Sequence, residues 1–241
     1  MRNALVVARR ELLGYVRTPM GVVIAAAVLA VDGLLFNGFA LRAGKRLSTE
    51  VLRDFFYFSS GTTMIAAILL SMRLFAEEVQ TGTRVLLRTS PVTDAEAVAG
   101  KFLAAWLFLA AVTLLTLPMP LLVMVHGKVA AGHLLAGYLG LLLAGAAVLG
   151  IGTFGSSIAG NQVVAAIAST AILVVLLVSW LVAKVVEPPI SDVLAHLAFY
   201  DKHFVPFMNG LVHLRDVAYY LSVAYFFLLL STWTLRARRW A

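Results

Sequence analysis

Six unbroken apolar runs separated by short polar stretches set the pattern of this chain: 20–41, 55–75, 102–125, 134–159, 163–183 and 217–235. Each is close to the roughly 20 residues that cross a hydrocarbon core of about 30 Å as a helix. Apolar and polar positions do not alternate inside them, which argues against the strands of a membrane barrel. Lipid offers backbone groups no hydrogen-bonding partner, so the runs predict transmembrane helices. Ahead of them, Leu5, Ala8, Leu12, Tyr15 and Val16 fall on one side of a helical wheel, and Arg2, Arg9, Arg10 and Arg17 on another. Residues 1–18 therefore predict an amphipathic elbow helix lying in the membrane interface, ended by Thr18-Pro19. The long polar prefix and full-length first run argue against a cleaved signal.

The connections are unequal. Residues 42–54, 126–133 and Gly160-Asn161-Gln162 are short links, whereas 76–101 and 184–216 are long. After Pro188-Pro189, residues 190–200 and 204–214 predict two short outer helices, interfacial or re-entrant, with Phe199, Phe204, Phe207 and Met208 dipping toward lipid. Pro118 and Pro120 predict a bend near the outer end of the third span. The fourth span carries small residues at Ala136, Gly140, Ala144, Gly152, Ser156 and Gly160, a row that permits close helix contact. The expected fold class is all-α integral membrane: six transmembrane helices, an N-terminal interfacial amphipathic helix, and short outer helices between spans five and six. One transmembrane domain covers 1–241.

Composition agrees with this pattern. Hydrophobic residues make up 61% of the 241 positions and charged residues 13%, against roughly a quarter charged in soluble domains; mean hydropathy is +0.94. The net charge of +7 comes from basic residues at span ends, a placement suited to anionic lipid rather than nucleic acid. There is no cysteine, so disulfides, cysteine-ligated metals and thiol catalysis are excluded. Six spans put both termini on one side. Placing them inside leaves 11 basic residues within (Arg2, Arg9, Arg10, Arg17, Arg73, Arg84, Arg88, Lys101, Arg236, Arg238 and Arg239) and 8 outside. The charges flanking the two chain ends favour cytoplasmic termini.

The stretch 76–101 is the one long polar segment on that inner side. Thr93 and Glu96 have the spacing of a capping box, so a helix should begin at Asp94 and run into the third span. Phe75 to Thr81 should extend the second span, with Gly82 stopping it. Between them, Thr83 to Ser90 predicts a short cross-piece with Val85, Leu86 and Leu87 on an apolar side and Arg84 and Arg88 as a basic edge. Such a piece, joined to two spans, would transmit a push from a soluble partner. No Gly-Lys pair in the chain has the glycine spacing of a P-loop, so any ATP binds another chain.

Inside the spans, Asp32 is costly, about 2.5–3.5 kcal/mol if central and unpaired. Asp32, with Asn37 one turn beyond, either lines a path or is paired, Arg53 or a hydroxyl of the second span being the candidate partners. His126, His133, His196, His203 and His213 fall on the outer side with no compact metal spacing, and no catalytic or metal set is expected. The sparse buried ionisable groups argue against a stand-alone carrier or intramembrane enzyme.

Glu77 to Thr93 (E-E-x-x-T-G-T-x-x-L-L-x-T-S-P-V-T), followed by Gly100-Lys101, resembles the cytoplasmic loop of ABC-2-type transporter permeases. The resemblance is nearest to the gliding-motility-associated and nitrous-oxide-reductase-maturation branch. It extends to Arg10-Glu11-Leu12 with Thr18-Pro19, to Gly210, to Leu214-Arg215-Asp216-Val217 with Tyr219-Tyr220-Leu221-Ser222, and to Arg238-Arg239-Trp240. Arg88 is more basic than that pattern beside Leu86-Leu87. The resemblance implies a multi-pass permease of the bacterial inner membrane, paired with a second copy or a similar permease. Two ABC ATPase subunits, holding ATP and magnesium, would contact Glu77, Glu78, Gly82, Thr83, Arg84, Leu86, Leu87, Arg88, Ser90 and Pro91. The elbow residues Arg9, Arg10, Glu11 and Arg17 would brace them. ATP-driven export is the implied function. An alternative is force passed to an extracytoplasmic accessory protein without transport.

Overall fold

A computed structural model describes residues 2–41, 47–83, 92–127 and 129–240, and among these every regular element is helical. The elbow helix α1 (Arg2–Arg17) is followed by α2 (Pro19–Leu35), which opens into a π-helical turn, Phe36–Leu41. Then come α3 (Ser48–Ser71), α4 (Ala76–Gln80), α5 (Asp94–Leu115) and α6 (Pro118–His126). The chain continues as α7 (Ala131–Ile158), α8 (Gln162–Ala183), α9 (Ile190–Leu197), α10 (Val205–Met208) and α11 (Leu214–Trp240). Six helical stretches among the described residues are long and apolar enough to cross a membrane.

Helix α7 is the axis, with 83% of its apolar window buried against 22% for α8 and for α11. It packs on α3, α5, α8 and α11. Its glycines make this possible. A Cβ on Gly137 would stand inside the Phe56 ring of α3, and one on Gly150 would come within 3.0 Å of the Ala224 backbone in α11. Within the row of small residues, a Cβ on Gly140 would come 2.6 Å from Phe207 Cβ, whereas Gly160 lies past the helix end and is exposed.

Two boundaries differ from the sequence expectation, and the bend expected at Pro118 and Pro120 takes definite form. Span two starts at Ser48 rather than 55, because Leu52, Phe55 and Phe56 form a buried stripe that carries the helix through its polar opening turns. Span three is broken at Thr116–Leu117 ahead of Pro118; the Thr116 hydroxyl donates to the Thr113 carbonyl (2.7 Å) and lies 3.0 Å from the Tyr138 hydroxyl. The second outer helix is only Val205–Met208, stopped by Gly210 at φ +78°.

Phe199, Phe204, Phe207 and Met208 are buried in protein rather than lipid-facing. They plug the end of the bundle far from α1. Tyr220 and Tyr219 donate to the carbonyls of Phe199 and Leu197, each at 2.8 Å. The His203 ring stacks on Tyr219 at 3.8 Å, with Nδ1 lying 2.8 Å from Asp216 Oδ1. These contacts tie the far-end helices to the start of the last span.

Candidate functional site

At the elbow end three separate pieces of chain meet. The first is α5, whose N-terminus is set locally. Thr93 Oγ1 accepts from the Glu96 amide at 3.3 Å, while Glu96 Oε2 accepts from the Thr93 amide at 3.2 Å. This is the capping box anticipated from Thr93 and Glu96. The cap also reaches the elbow, since Asn3 Nδ2 donates to Glu96 Oε2 at 3.4 Å.

The second is α1, which docks on α5 instead of only floating at the interface. Ala8 and Tyr15 are buried, whereas Leu5 and Val16 of the same apolar side are exposed, as are Arg9, Arg10 and Arg17. The crossing point is Gly100, where a Cβ would fall 2.6 Å from the Ala4 carbonyl oxygen and 2.8 Å from Val7 Cβ. Only a residue without a side chain lets the helices approach so closely.

The third is the corner between α3 and α4. The expected extension of span two is present as α4, set off from α3 by a turn at Met72–Phe75. Ser156, buried in α7, holds that corner. Its Oγ accepts from the amides of Phe75 (2.9 Å) and Ala76 (3.0 Å) and donates to the Met72 carbonyl (2.9 Å). The hydroxyl thus supplies from another helix the cap that α4 lacks in its own sequence. Ser156→Ala leaves two amides and one carbonyl unpaired in a buried place, so we expect a loss of about 1–3 kcal/mol. Thermal unfolding of the purified chain should show it, with Ser157→Ala, which loses one local bond, as the milder comparison.

Lys101 joins all three. Its Nζ lies 2.7 Å from Glu11 Oε1 of α1 and 2.8 Å from Glu78 Oε1 of α4, with 4% of the side chain exposed. It also stands 5.5 Å from the Phe75 ring centre. Beside it, Arg73 Nε pairs with Glu77 Oε2 at 2.8 Å and its guanidinium lies 5.5 Å from the Tyr15 ring centre. The Tyr15 hydroxyl donates to the Leu70 carbonyl at 3.0 Å. Burial, with the charge of Glu11 adding, pushes that phenol well above its ordinary range, so it stays a donor. Helix α4 ends at Gly82, φ +72°, a conformation glycine adopts without strain. Between α1, α4 and the start of α5 lies a cleft of 580 Å³, reached by Arg10, Glu77, Glu78 and Thr83.

Of the residues singled out from sequence, Glu11, Glu77 and Glu78 converge here and Arg10 lines the cleft, while Arg9 and Arg17 remain on the exposed side. Arg84, Leu86, Leu87, Arg88, Ser90 and Pro91, and with them the expected cross-piece, lie outside the described residues. Asp32 is elsewhere. It is buried within the bundle and accepts from the Thr62 hydroxyl at 2.6 Å, whereas Asn37 sits exposed in the π-helical turn. Arg53, the other candidate partner, is nine residues before Thr62 on α3, about 13 Å away along the axis.

Sequence reading placed Lys101 only among the charges of the loop. Its signal was available: a lone cation inside a capped helix that continues as an apolar run calls for a carboxylate partner. Ser156 had none beyond its small size. Within the described residues no three metal-ligating side chains converge. What the described residues show is one ammonium joining α1, α4 and α5.

No curated protein matches the chain at a significant level. The family model described as ABC-2 type transporter matches residues 2–179, from the elbow helix through most of α8. Proteins of that kind are the membrane-spanning, non-catalytic component and generally work with a separate ABC ATPase. With the match spanning the greater part of its length, and with six helices able to cross a membrane, this chain belongs to the ABC-2 type transporter family as a multi-pass membrane subunit.

Proposed function

We propose that this chain is the permease subunit of an ATP-driven exporter of the bacterial inner membrane, of the gliding-motility or nitrous-oxide-reductase-maturation branch. Two copies, or this chain and a similar permease, span the bilayer with both termini in the cytoplasm. Two ATPase subunits holding ATP and magnesium dock beneath. Residues 83–90 receive their stroke, α1 braces it, and 184–216 gates the opposite side.

The observation that supports the reading best is the single buried cation of Lys101 shared by Glu11 and Glu78. The chain on either side of residues 84–91 is thereby bound to the elbow helix. A push on the loop then moves α1, α4 and α5 as one unit and, through the Ser156 corner, bears on the axial helix α7.

The test is Leu86→Asp in the permease coexpressed with its ATPase. The variant should purify as a normal membrane protein but lose both the copurifying ATPase and the nucleotide-driven movement of substrate into inverted vesicles. Retention of both sinks the proposal. Because the chain has no cysteine, Leu86→Cys also reports sidedness: an impermeant maleimide should label it only from the cytoplasmic face.

A further inference from the structure

The far end of the bundle carries a second cleft that the coupling reading does not use. It has a volume of 710 Å³ and lies between the opening turns of α3 and the segment around α10. That volume falls within the roughly 300–1,000 Å³ of small-molecule sites. Glu50, Arg53, Asp54 and Tyr57 follow one another at i, i+3, i+4 and i+7, so one face of α3 presents them all to it. Opposite stand Tyr200 and Asp201. The rings of Tyr57 and Tyr200 meet edge to face at 5.9 Å. Tyr200 is held in place by donating to Met208 Sδ at 3.2 Å and by packing on Phe204 at 5.3 Å. Burial keeps its phenol above the ordinary range and therefore neutral.

Depth says what could fill this cleft. Helix α3, Ser48–Ser71, is 24 residues long, about 36 Å at 1.5 Å per residue. A hydrocarbon core is about 30 Å thick and the bilayer with its headgroups about 40–45 Å. The excess of about 6 Å over the acyl core, with the charges of Glu50, Arg53 and Asp54 gathered in the opening turns, sets this end of α3 in the headgroup layer. Among the described residues the Arg53 guanidinium, carboxylates on both walls and two aromatic rings offer partners for both signs of charge on one small ligand. Arg53 suits a phosphate. The carboxylates accept from the N–H groups of a primary ammonium, which a quaternary one lacks, and the ring faces attract the same cation.

We propose that this cleft binds the zwitterionic headgroup of a lipid carrying phosphate and a primary amine, of the phosphatidylethanolamine type. The site belongs to this chain alone and does not depend on an ATPase, so it stands or falls separately from the coupling reading.

The experiment is native mass spectrometry of the purified permease, offered equal amounts of phosphatidylethanolamine, phosphatidylcholine and phosphatidylglycerol. The expected result is retention of the ethanolamine lipid about fivefold or more over either competitor. Arg53→Gln should weaken retention. Glu50→Gln with Asp201→Asn should abolish the preference over choline, since it is the amine that these carboxylates read. All three positions are exposed, and unchanged melting temperatures would show the variants intact. Equal retention of the choline lipid, preference for the anionic lipid, or an unchanged ratio in the variants would overturn the proposal. So would displacement by water-soluble phosphoethanolamine at the same concentration, which would assign the cleft to a free headgroup.

Discussion

Lys101→Met is expected to loosen the elbow helix from the bundle. The replacement keeps the length of the side chain and removes its charge, leaving Glu11 and Glu78 facing each other across the space the ammonium occupied. Removing one partner of a buried ion pair costs about 3–5 kcal/mol, because the remaining charge is left uncompensated. Here the two carboxylates are 27% and 23% exposed and recover some hydration. A loss of about 2–3 kcal/mol is the fair expectation after that discount.

Two readouts separate this from a general defect. The melting temperature should fall, and trypsin should cut faster at Arg9 and Arg10, which are exposed on α1. The triple variant Lys101→Met, Glu11→Gln, Glu78→Gln should recover much of the loss, since neutralising all three removes the repulsion as well as the attraction. A Lys101→Met protein that melts and is cleaved like its parent would show that the three elements are joined by something other than this charge.

Gly137→Leu should be more severe still, leaving little folded protein. The new Cβ would lie inside the Phe56 ring. That ring cannot move aside: it is fully buried, with Phe55 at 5.3 Å, Tyr138 at 5.6 Å and His133 at 6.4 Å between ring centres. Inserting a few methylenes into a packed interior typically costs about 1–3 kcal/mol, and more when no neighbour can give. Here the obstacle is a whole ring at a helix crossing. Phe56→Ala in the same chain should restore a monodisperse peak in detergent, because the large and small partners are then exchanged. The two changes must be strongly non-additive. Additive losses would mean that Gly137 matters for a reason other than Phe56.

Several features were legible because they are local. The Thr93–Glu96 capping box, the stop at Gly82 and the break before Pro118 each depend on residues within a turn or two of one another. The contacts that make the node are not local. Lys101 finds Glu11 across 90 positions, Ser156 finds the Met72 carbonyl across 84, and Asp32 meets Thr62 across 30. Nothing in the spacing of those residues selects one partner from the others available. The turn that sets α4 off from span two was not legible for the same reason, since the hydroxyl that holds it comes from α7.

The number of spans and their helical character followed from the amino-acid sequence, because a backbone in lipid must satisfy itself and long apolar runs can do so only as helices. Which helix stands at the centre was decided only by tertiary packing. Lipid tails are as apolar as leucine, so hydrophobicity does not distinguish a face turned to the bilayer from one turned to a neighbouring helix. The apolar runs of α7 and α8 read alike, yet the first is the buried axis and the second lies largely exposed. Shape made that choice, through glycines whose missing side chains are filled by Phe56 and by the backbone at Ala224.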